Sequence, residues 1–64
     1  MWQLIRDRDG HVIARQYVDP RDGSVRVFNR DGRFLGRSTS TATFDHFGRR
    51  IGYSFAPGML YQFI

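Results

Sequence analysis

Arginine is the residue type that dominates the chemistry available to this 64-residue sequence. All ten basic residues are Arg and all six acidic residues are Asp, which gives a formal net charge of +4 at pH 7. A guanidinium group binds phosphate or carboxylate bidentately, so a basic surface of this kind favours anionic partners. Five arginines recur at fixed offsets from glycines, and these are the candidate anion-binding residues: Arg8, Arg30, Arg33, Arg37 and Arg49.

The arginine pattern could also arise without any anion-binding role. A GC-rich genome enriches Arg at the expense of Lys without any selection for binding. Alternatively, the recurring arginines pair with Asp side chains of nearby turns and face water, where each exposed pair contributes only about 0 to 1 kcal/mol. The basic charge by itself does not choose among nucleic acid, acidic lipid and phosphate-bearing ligands.

Ten aromatic residues, 16% of the chain, interleave with the arginines. Such a pattern can stack the bases of single-stranded nucleic acid. In so short a chain, however, we expect most of the rings to be buried in the core or in a self-association interface. Phe47 is the exception because it lies inside a predicted turn. If it is exposed there, it is a candidate contact for a partner or a membrane interface; the alternative is that it folds back over its own hairpin.

Residues that could support catalysis or hold a metal are sparse. The Ser and Thr hydroxyls lack a neighbouring acid–base motif, and none lies in a strand–turn–helix elbow. His11 and His46 lie in different repeats with no close carboxylate spacing, and Cys is absent. We therefore expect no metal site, no cofactor and no catalytic residue, and hence a protein that is not an enzyme.

Three glycine turns position these side chains. Asp or Asn stands three residues before Gly10, Gly32 and Gly48, and its side chain suits the first position of a type I turn. Gly accepts the left-handed conformation that a three-residue hairpin loop with a bulge requires. An aliphatic residue follows each Gly by three positions, and Ala or Gly follows by four. This spacing predicts three hairpins built on one repeat.

Short β-rich segments lie between these turns. We predict strands near Trp2–Arg6, His11–Val18, Ser24–Phe28, Arg33–Arg37, Thr41–Phe44, Arg49–Phe55 and Met59–Phe63. No segment has a 3.6-residue apolar period of helical length, so no helix is predicted. About seven short strands in repeated hairpins indicate an all-β, closed or nearly closed antiparallel meander. Pairing of Trp2–Ile5 with Leu60–Ile64 would close it and cover both edges.

The length of the chain predicts a single all-β repeat domain spanning residues 1–64. A domain of this size buries only about 60% of the surface that its unfolded chain exposes, and without Cys it has no disulfides. Self-association is the usual remaining means of stabilisation, which makes a homo-oligomer an expectation. No run approaches the ~20 apolar residues of a membrane span, and the first residues lack a signal-peptide pattern, so we expect a cytoplasmic protein.

The second and third repeats resemble the unit of small bacterial β-flower proteins, which is aromatic-Asp-x-x-Gly-Arg-x-aliphatic-Gly. The matching segments are Phe28–Gly36 and Phe44–Gly52, whereas the first copy has Arg6, His11 and Ala14 at the aromatic, Arg and second Gly positions. The resemblance implies hairpins that radiate from a shallow central barrel, a fold compared with the Tubby C-terminal domain without its helix. It implies no established activity.

Three functions are compatible with these features. The first is a non-enzymatic binding module whose arginines meet an anionic ligand, a lipid headgroup or an acidic protein surface. The second is a structural module that self-associates through an aromatic patch. The third is a nucleic-acid binder, which we rank below the other two.

Overall fold

The fold is one antiparallel sheet of six strands followed by a short 3₁₀ helix. The computed structural model describes all 64 residues. The elements in chain order are β1 (Trp2–Arg6), β2 (Val12–Val18), β3 (Val25–Asn29), β4 (Phe34–Ser38), β5 (Thr43–Asp45), β6 (Arg50–Gly52) and the 3₁₀ helix (Pro57–Phe63). Each strand pairs only with its neighbours in the chain, in the order β1 to β6. The predicted all-β antiparallel meander is therefore confirmed.

Two predictions about the C-terminal segment are wrong. Met59–Phe63 belongs to the 3₁₀ helix rather than to a seventh strand, and Pro57 stands in the first turn of that helix, where its fixed φ is favourable. The sheet is not closed, because Trp2–Ile5 pairs with β2 alone and Leu60–Ile64 pairs with no strand. The one helix has seven residues, too few to span a bilayer.

The three repeated turns share one backbone geometry. Gly10, Gly32 and Gly48 have φ values of 88°, 89° and 82°, as the spacing predicts. The N–H of each Gly donates to the carbonyl oxygen of the Asp or Asn three residues earlier, at 3.0 to 3.1 Å. The side chain of that Asp or Asn accepts two further backbone N–H bonds, each at 2.9 Å. The pairing register then shifts in every hairpin, as a bulge requires.

The bulge explains the aliphatic and small residues that follow each turn. In the second hairpin Leu35 is the additional residue, and Gly36 pairs with Val27. Both are buried on the same side of the sheet, which we call the packed face because the 3₁₀ helix covers it. The core consists of Val25, Val27, Leu35 and Leu60, the last supplied by the helix.

Two buried hydroxyls attach the segment before the 3₁₀ helix to the packed face. The Ser38 and Thr43 hydroxyls lie 2.8 Å apart on neighbouring strands, and both are fully buried. The backbone N–H of Ala56 donates to Ser38 Oγ at 3.0 Å, and Thr43 Oγ1 donates to the carbonyl oxygen of Ser54 at 2.9 Å. These bonds set the position from which the helix crosses the sheet.

The core is aliphatic throughout. None of the ten aromatic residues is buried within the domain. Of the two locations expected for the rings, the core is therefore wrong, and burial in a self-association interface stays a prediction. The physical reason is the strand alternation: the positions that point to the packed face carry Ala, Val, Gly, Ser and Thr, whereas many of the rings occupy the positions between them. The rings are consequently displayed on the other side of the sheet.

Candidate anion-binding face

One side chain from each strand stands in a single row on the side of the sheet opposite the 3₁₀ helix. Residues that are direct cross-strand partners share a face and have Cβ atoms ~4.5 to 5.5 Å apart. The register pairs the following residues in succession from β1 to β6: Trp2, Tyr17, Arg26, Arg37, Phe44 and Arg50. None of the six is buried.

A second row lies beside the first, nearer to the repeated turns. It consists, from β1 to β4, of Leu4, Arg15, Phe28 and Phe34. We call the ten residues of the two rows the open face. Its rings contact one another across the strands, with centroid distances of 5.3 Å for Trp2–Tyr17 and 5.5 Å for both Trp2–Phe28 and Phe28–Phe34. The open face is therefore a connected aromatic surface with arginines set into it.

Arg26 and Arg37 are the central pair of the open face. They are direct partners in the antiparallel pairing of β3 and β4. Neither takes part in an ion pair, since the three ion pairs of the molecule join other residues. Like charges directly opposite each other on a sheet repel. An anion placed between the two guanidinium groups would remove that repulsion and gain charge-assisted hydrogen bonds from both.

The five arginines selected from the sequence do not form one site. Four of them belong to the repeated turns: Arg8, Arg30, Arg33 and Arg49. These turns connect β1 to β2, β3 to β4 and β5 to β6, and in a meander alternate connections lie at the same end of the sheet. Arg37 instead lies within β4, in the open face. The turn arginines thus form a basic rim at one end of the sheet, and Arg37 stands apart from it.

Ion pairing with Asp accounts for only a small part of the arginine pattern. Arg21 pairs with Asp19 at 3.1 Å and Arg49 pairs with Asp45 at 3.4 Å, and no other arginine is ion-paired. The carboxylates of the first and third repeated turns, Asp7 and Asp45, also accept backbone N–H groups. Burial opposes ionisation of Asp45, but the backbone N–H groups of Arg49 and Phe47 outweigh it, so the pKa of this carboxyl lies below its usual value.

An open depression of about 460 Å³ extends the open face towards the third turn. Phe34, Arg37 and Phe44 form one side of it, and the turn residues Asp45–Gly48 form the other. Within that turn Phe47 is 69% exposed. It contacts its own turn on both sides, with the His46 ring centroid at 4.1 Å and the Arg49 guanidinium carbon 5.0 Å from its centre.

The sequence prediction that His11 has no carboxylate nearby is wrong. Ligand atoms of Asp7, Asp9 and His11 all lie within 4.8 Å of one another in the exposed first turn. Turn formation accounts for this cluster, because Asp7 Oδ1 already accepts the backbone N–H groups of Asp9 and His11 at 2.9 Å each. These three residues stabilise the turn.

Sequence reasoning missed three arginines of the open face: Arg15, Arg26 and Arg50. It followed offsets from glycines, which for four of the five selected arginines identify turn positions, and did not use strand alternation. The signal for Arg26 was present in the segment Val25-Arg26-Val27-Phe28, where two valines alternate with an arginine and a phenylalanine. Alternation of this kind indicates that Arg26 and Phe28 share the face opposite to the valines.

No family model, curated protein or solved structure matches the chain. The resemblance to β-flower proteins therefore stays a prediction.

Proposed function

We propose that the protein is a non-enzymatic module that binds phosphate- or carboxylate-bearing anions on the open face of its sheet. The observation that carries this proposal is the direct opposition of Arg26 and Arg37, with no carboxylate paired to either. Two arginines at directly opposed positions can bring up to ten N–H donors to one anion. An anion there satisfies them and neutralises their repulsion.

The basic rim has a supporting part in this proposal. Arg8, Arg30 and Arg33 are exposed at one end of the sheet and are not ion-paired. Together with the net charge of +4, they raise the local concentration of anions near the sheet, an effect that weakens as salt is added. The rim therefore accelerates association, whereas the open face provides the binding site.

Heparin, a polyanion, tests the proposal. The double variant R26Q/R37Q removes two charges from the open face, and the matched control R8Q/R33Q removes two charges from the rim. We expect R26Q/R37Q to elute from a heparin column at clearly lower salt than the wild type, and R8Q/R33Q to elute close to it. Equal shifts for the two variants would show that only the total charge matters, and the proposed site would be wrong.

Self-association is a second candidate function, favoured by the apolar surface near the β1 edge. Trp2 and Leu4 are 57% and 55% exposed on β1, whose outer edge has no partner strand. A second copy placed on this edge would cover both side chains. Sedimentation equilibrium at increasing protein concentration tests this, and a mass that stays monomeric throughout contradicts it.

A further inference from the structure

The open face combines two kinds of recognition group in one continuous surface. Its central arginines are flanked by rings on both sides, with Trp2 and Tyr17 towards β1 and Phe44 towards β6. A small anion would contact the arginines and leave the rings unused. A ligand in which anionic groups alternate with flat aromatic groups would use both.

The rings remain available for stacking. Their planes are inclined to one another by 48° to 65° across the cluster of Trp2, Tyr17, Phe28 and Phe34. Rings inclined at these angles are not stacked face to face on one another. Trp2 and Phe34 are 57% and 37% exposed. Burying these rings would stabilise the fold more than exposing them does. Their exposure is therefore consistent with a partner that covers them only when bound.

The dimensions of the open face suit a short polymer. One row crosses six strands, and neighbouring strands lie ~4.8 Å apart, so the row is ~24 Å long. Protein surfaces that bind single strands of nucleic acid occupy ~4 to 16 nucleotides and combine basic side chains with exposed rings. In a duplex, by contrast, the flat faces of the bases are stacked on each other and cannot reach the rings.

We propose that the occupant of the open face is single-stranded nucleic acid, with phosphates on Arg26 and Arg37 and bases stacked on the neighbouring rings. Single-strand binding rests on the proposed anion binding, since both use the same arginine pair. It adds a role for the aromatic residues, which is to stack on the bases. Variants of these residues therefore separate the two proposals experimentally.

Fluorescence anisotropy with a labelled oligothymidine of about 12 nucleotides, and with oligouridine of the same length, measures the binding. We expect the logarithm of the binding constant to fall linearly with the logarithm of the salt concentration, with a slope of about 0.7 for each phosphate contact. The R26Q/R37Q variant therefore loses about 1.4 from the magnitude of the slope. R8Q/R33Q should change the slope less.

A matched pair of Phe-to-Leu variants tests the stacking. Phe34 on the open face and Phe63 in the 3₁₀ helix are equally exposed, at 37% and 38%, and Leu retains apolar contact at both positions. We expect F34L to weaken oligonucleotide binding by about fivefold or more, since stacking of a base on a ring contributes at least about 1 kcal/mol. F63L should bind like the wild type. Far-UV circular dichroism confirms that both variants are folded.

Each remaining outcome has a definite meaning. Heparin retention that depends on Arg26 and Arg37, without oligonucleotide binding, leaves the anion site intact and overturns the nucleic-acid proposal. Equal affinity for single-stranded and duplex DNA, or equal binding by F34L and F63L, overturns it as well. Phosphatidylserine vesicles bound more tightly than oligothymidine would replace nucleic acid by lipid. If the wild type bound neither heparin nor oligonucleotide, both proposals would be wrong.

Discussion

Arg26 on β3 and Arg37 on β4 face each other across the sheet, and no carboxylate is paired to either. The pairing is fixed by the hairpin turn at Asn29–Gly32 and its bulge, so the two residues stay directly opposite each other unless the register changes. Opposed like charges destabilise a sheet by a few tenths of a kcal/mol to about 1 kcal/mol. A binding site that needs both charges therefore lowers the stability of the free protein.

Replacement of Arg37 by Glu should separate stability from binding. R37E converts the repulsion with Arg26 into an attraction, and we expect the free energy of unfolding to rise by about 1 kcal/mol. Heparin retention should fall below that of the wild type. R50E is the control, because Arg50 pairs across the sheet with Phe44 and not with an arginine, so it should give no gain in stability. Urea denaturation provides the measurement, and a less stable R37E would contradict the assignment of the pair.

Gly36 should be the least replaceable glycine of the chain. A Cβ atom built there would collide with the carbonyl oxygen of Phe44 and with Leu60 Cδ2, and the Gly36 φ is +155°. We expect G36A to lower the free energy of unfolding by about 3 kcal/mol, the upper end of overpacking costs. G58A is the control, since a Cβ at Gly58 meets nothing within 4 Å. Similar urea midpoints for the two variants would show that Gly36 does not lie against the Phe44 carbonyl and Leu60.

Substitution of Gly32 tests the backbone conformation of the second turn, because an added side chain would not collide with any neighbour. Nothing lies within 4 Å of a Cβ added there, yet its φ is +89°. The left-handed conformation costs an ordinary L-residue about 1 to 2 kcal/mol, whereas Asn tolerates it better. We expect G32A to lose stability by this amount and G32N to lose less. A thermal melt of both variants measures the difference, and the reverse order would exclude a left-handed turn residue.

The turns were predictable from the sequence because their determinants are local. Asn29 makes its backbone hydrogen bonds within four residues along the chain, and Gly32 satisfies the dihedral requirement of the same turn. The side-chain alternation of Val25 to Phe28 is also local, so the open face could have been inferred together with Arg26. Which residue of β4 lies opposite Arg26 depends on the bulge at Leu35, and only the structure supplies that register.

The 3₁₀ helix could not be predicted in the same way. The segment Met59–Phe63 is apolar and carries two aromatic residues, a composition typical of a strand. Its conformation depends on distant residues, since Leu60 fills the space between Val25, Val27 and Leu35. Tertiary packing therefore overrides the local preference. The four core residues are all aliphatic, and Tyr61 is the one ring that packs against them, which is why the expected burial of most rings in the core fails.

The stability of the protein should decrease in acid through Asp19. Hydrogen bonds from the Arg21 side chain and backbone N–H lower the pKa of Asp19 from 3.8 to about 2. Because the pKa is lower in the folded protein than in the unfolded chain, ionisation of Asp19 stabilises the fold above about pH 4. This stabilisation is lost as the pH falls from about 4 towards 2.

Urea denaturation between about pH 6 and pH 2 measures this effect. We expect D19N to be less stable than the wild type at pH 6 and to show a weaker decline towards pH 2. D31N is the control, because the Asp31 carboxylate of the second turn accepts no hydrogen bond and forms no ion pair. The stability of D31N should therefore decline with falling pH as that of the wild type does. If the free energies of unfolding of D19N and the wild type declined in parallel with falling pH, Asp19 would be excluded as the source of the acid-induced loss of stability.

Leu60 should carry much of the stability of the whole domain. It is fully buried, and among the four residues of the core cluster it alone comes from outside the sheet. Truncation of a buried Leu to Ala costs about 2 to 5 kcal/mol. A domain of 64 residues has a total stability of only about 3 to 10 kcal/mol. L60A is therefore expected to remove a large share of the free energy of unfolding.

The matched control for L60A is I64A, because Ile64 follows the 3₁₀ helix and is 48% exposed. We expect L60A to melt at a much lower temperature than the wild type and I64A to melt close to it. Heparin retention of L60A, measured well below its melting temperature, should match the wild type, since Arg26 and Arg37 lie on the opposite face and their pairing is set by the hairpin. A wild-type melting temperature for L60A would show that the 3₁₀ helix does not complete the core, and the division of the sheet into a packed and an open face would have to be abandoned.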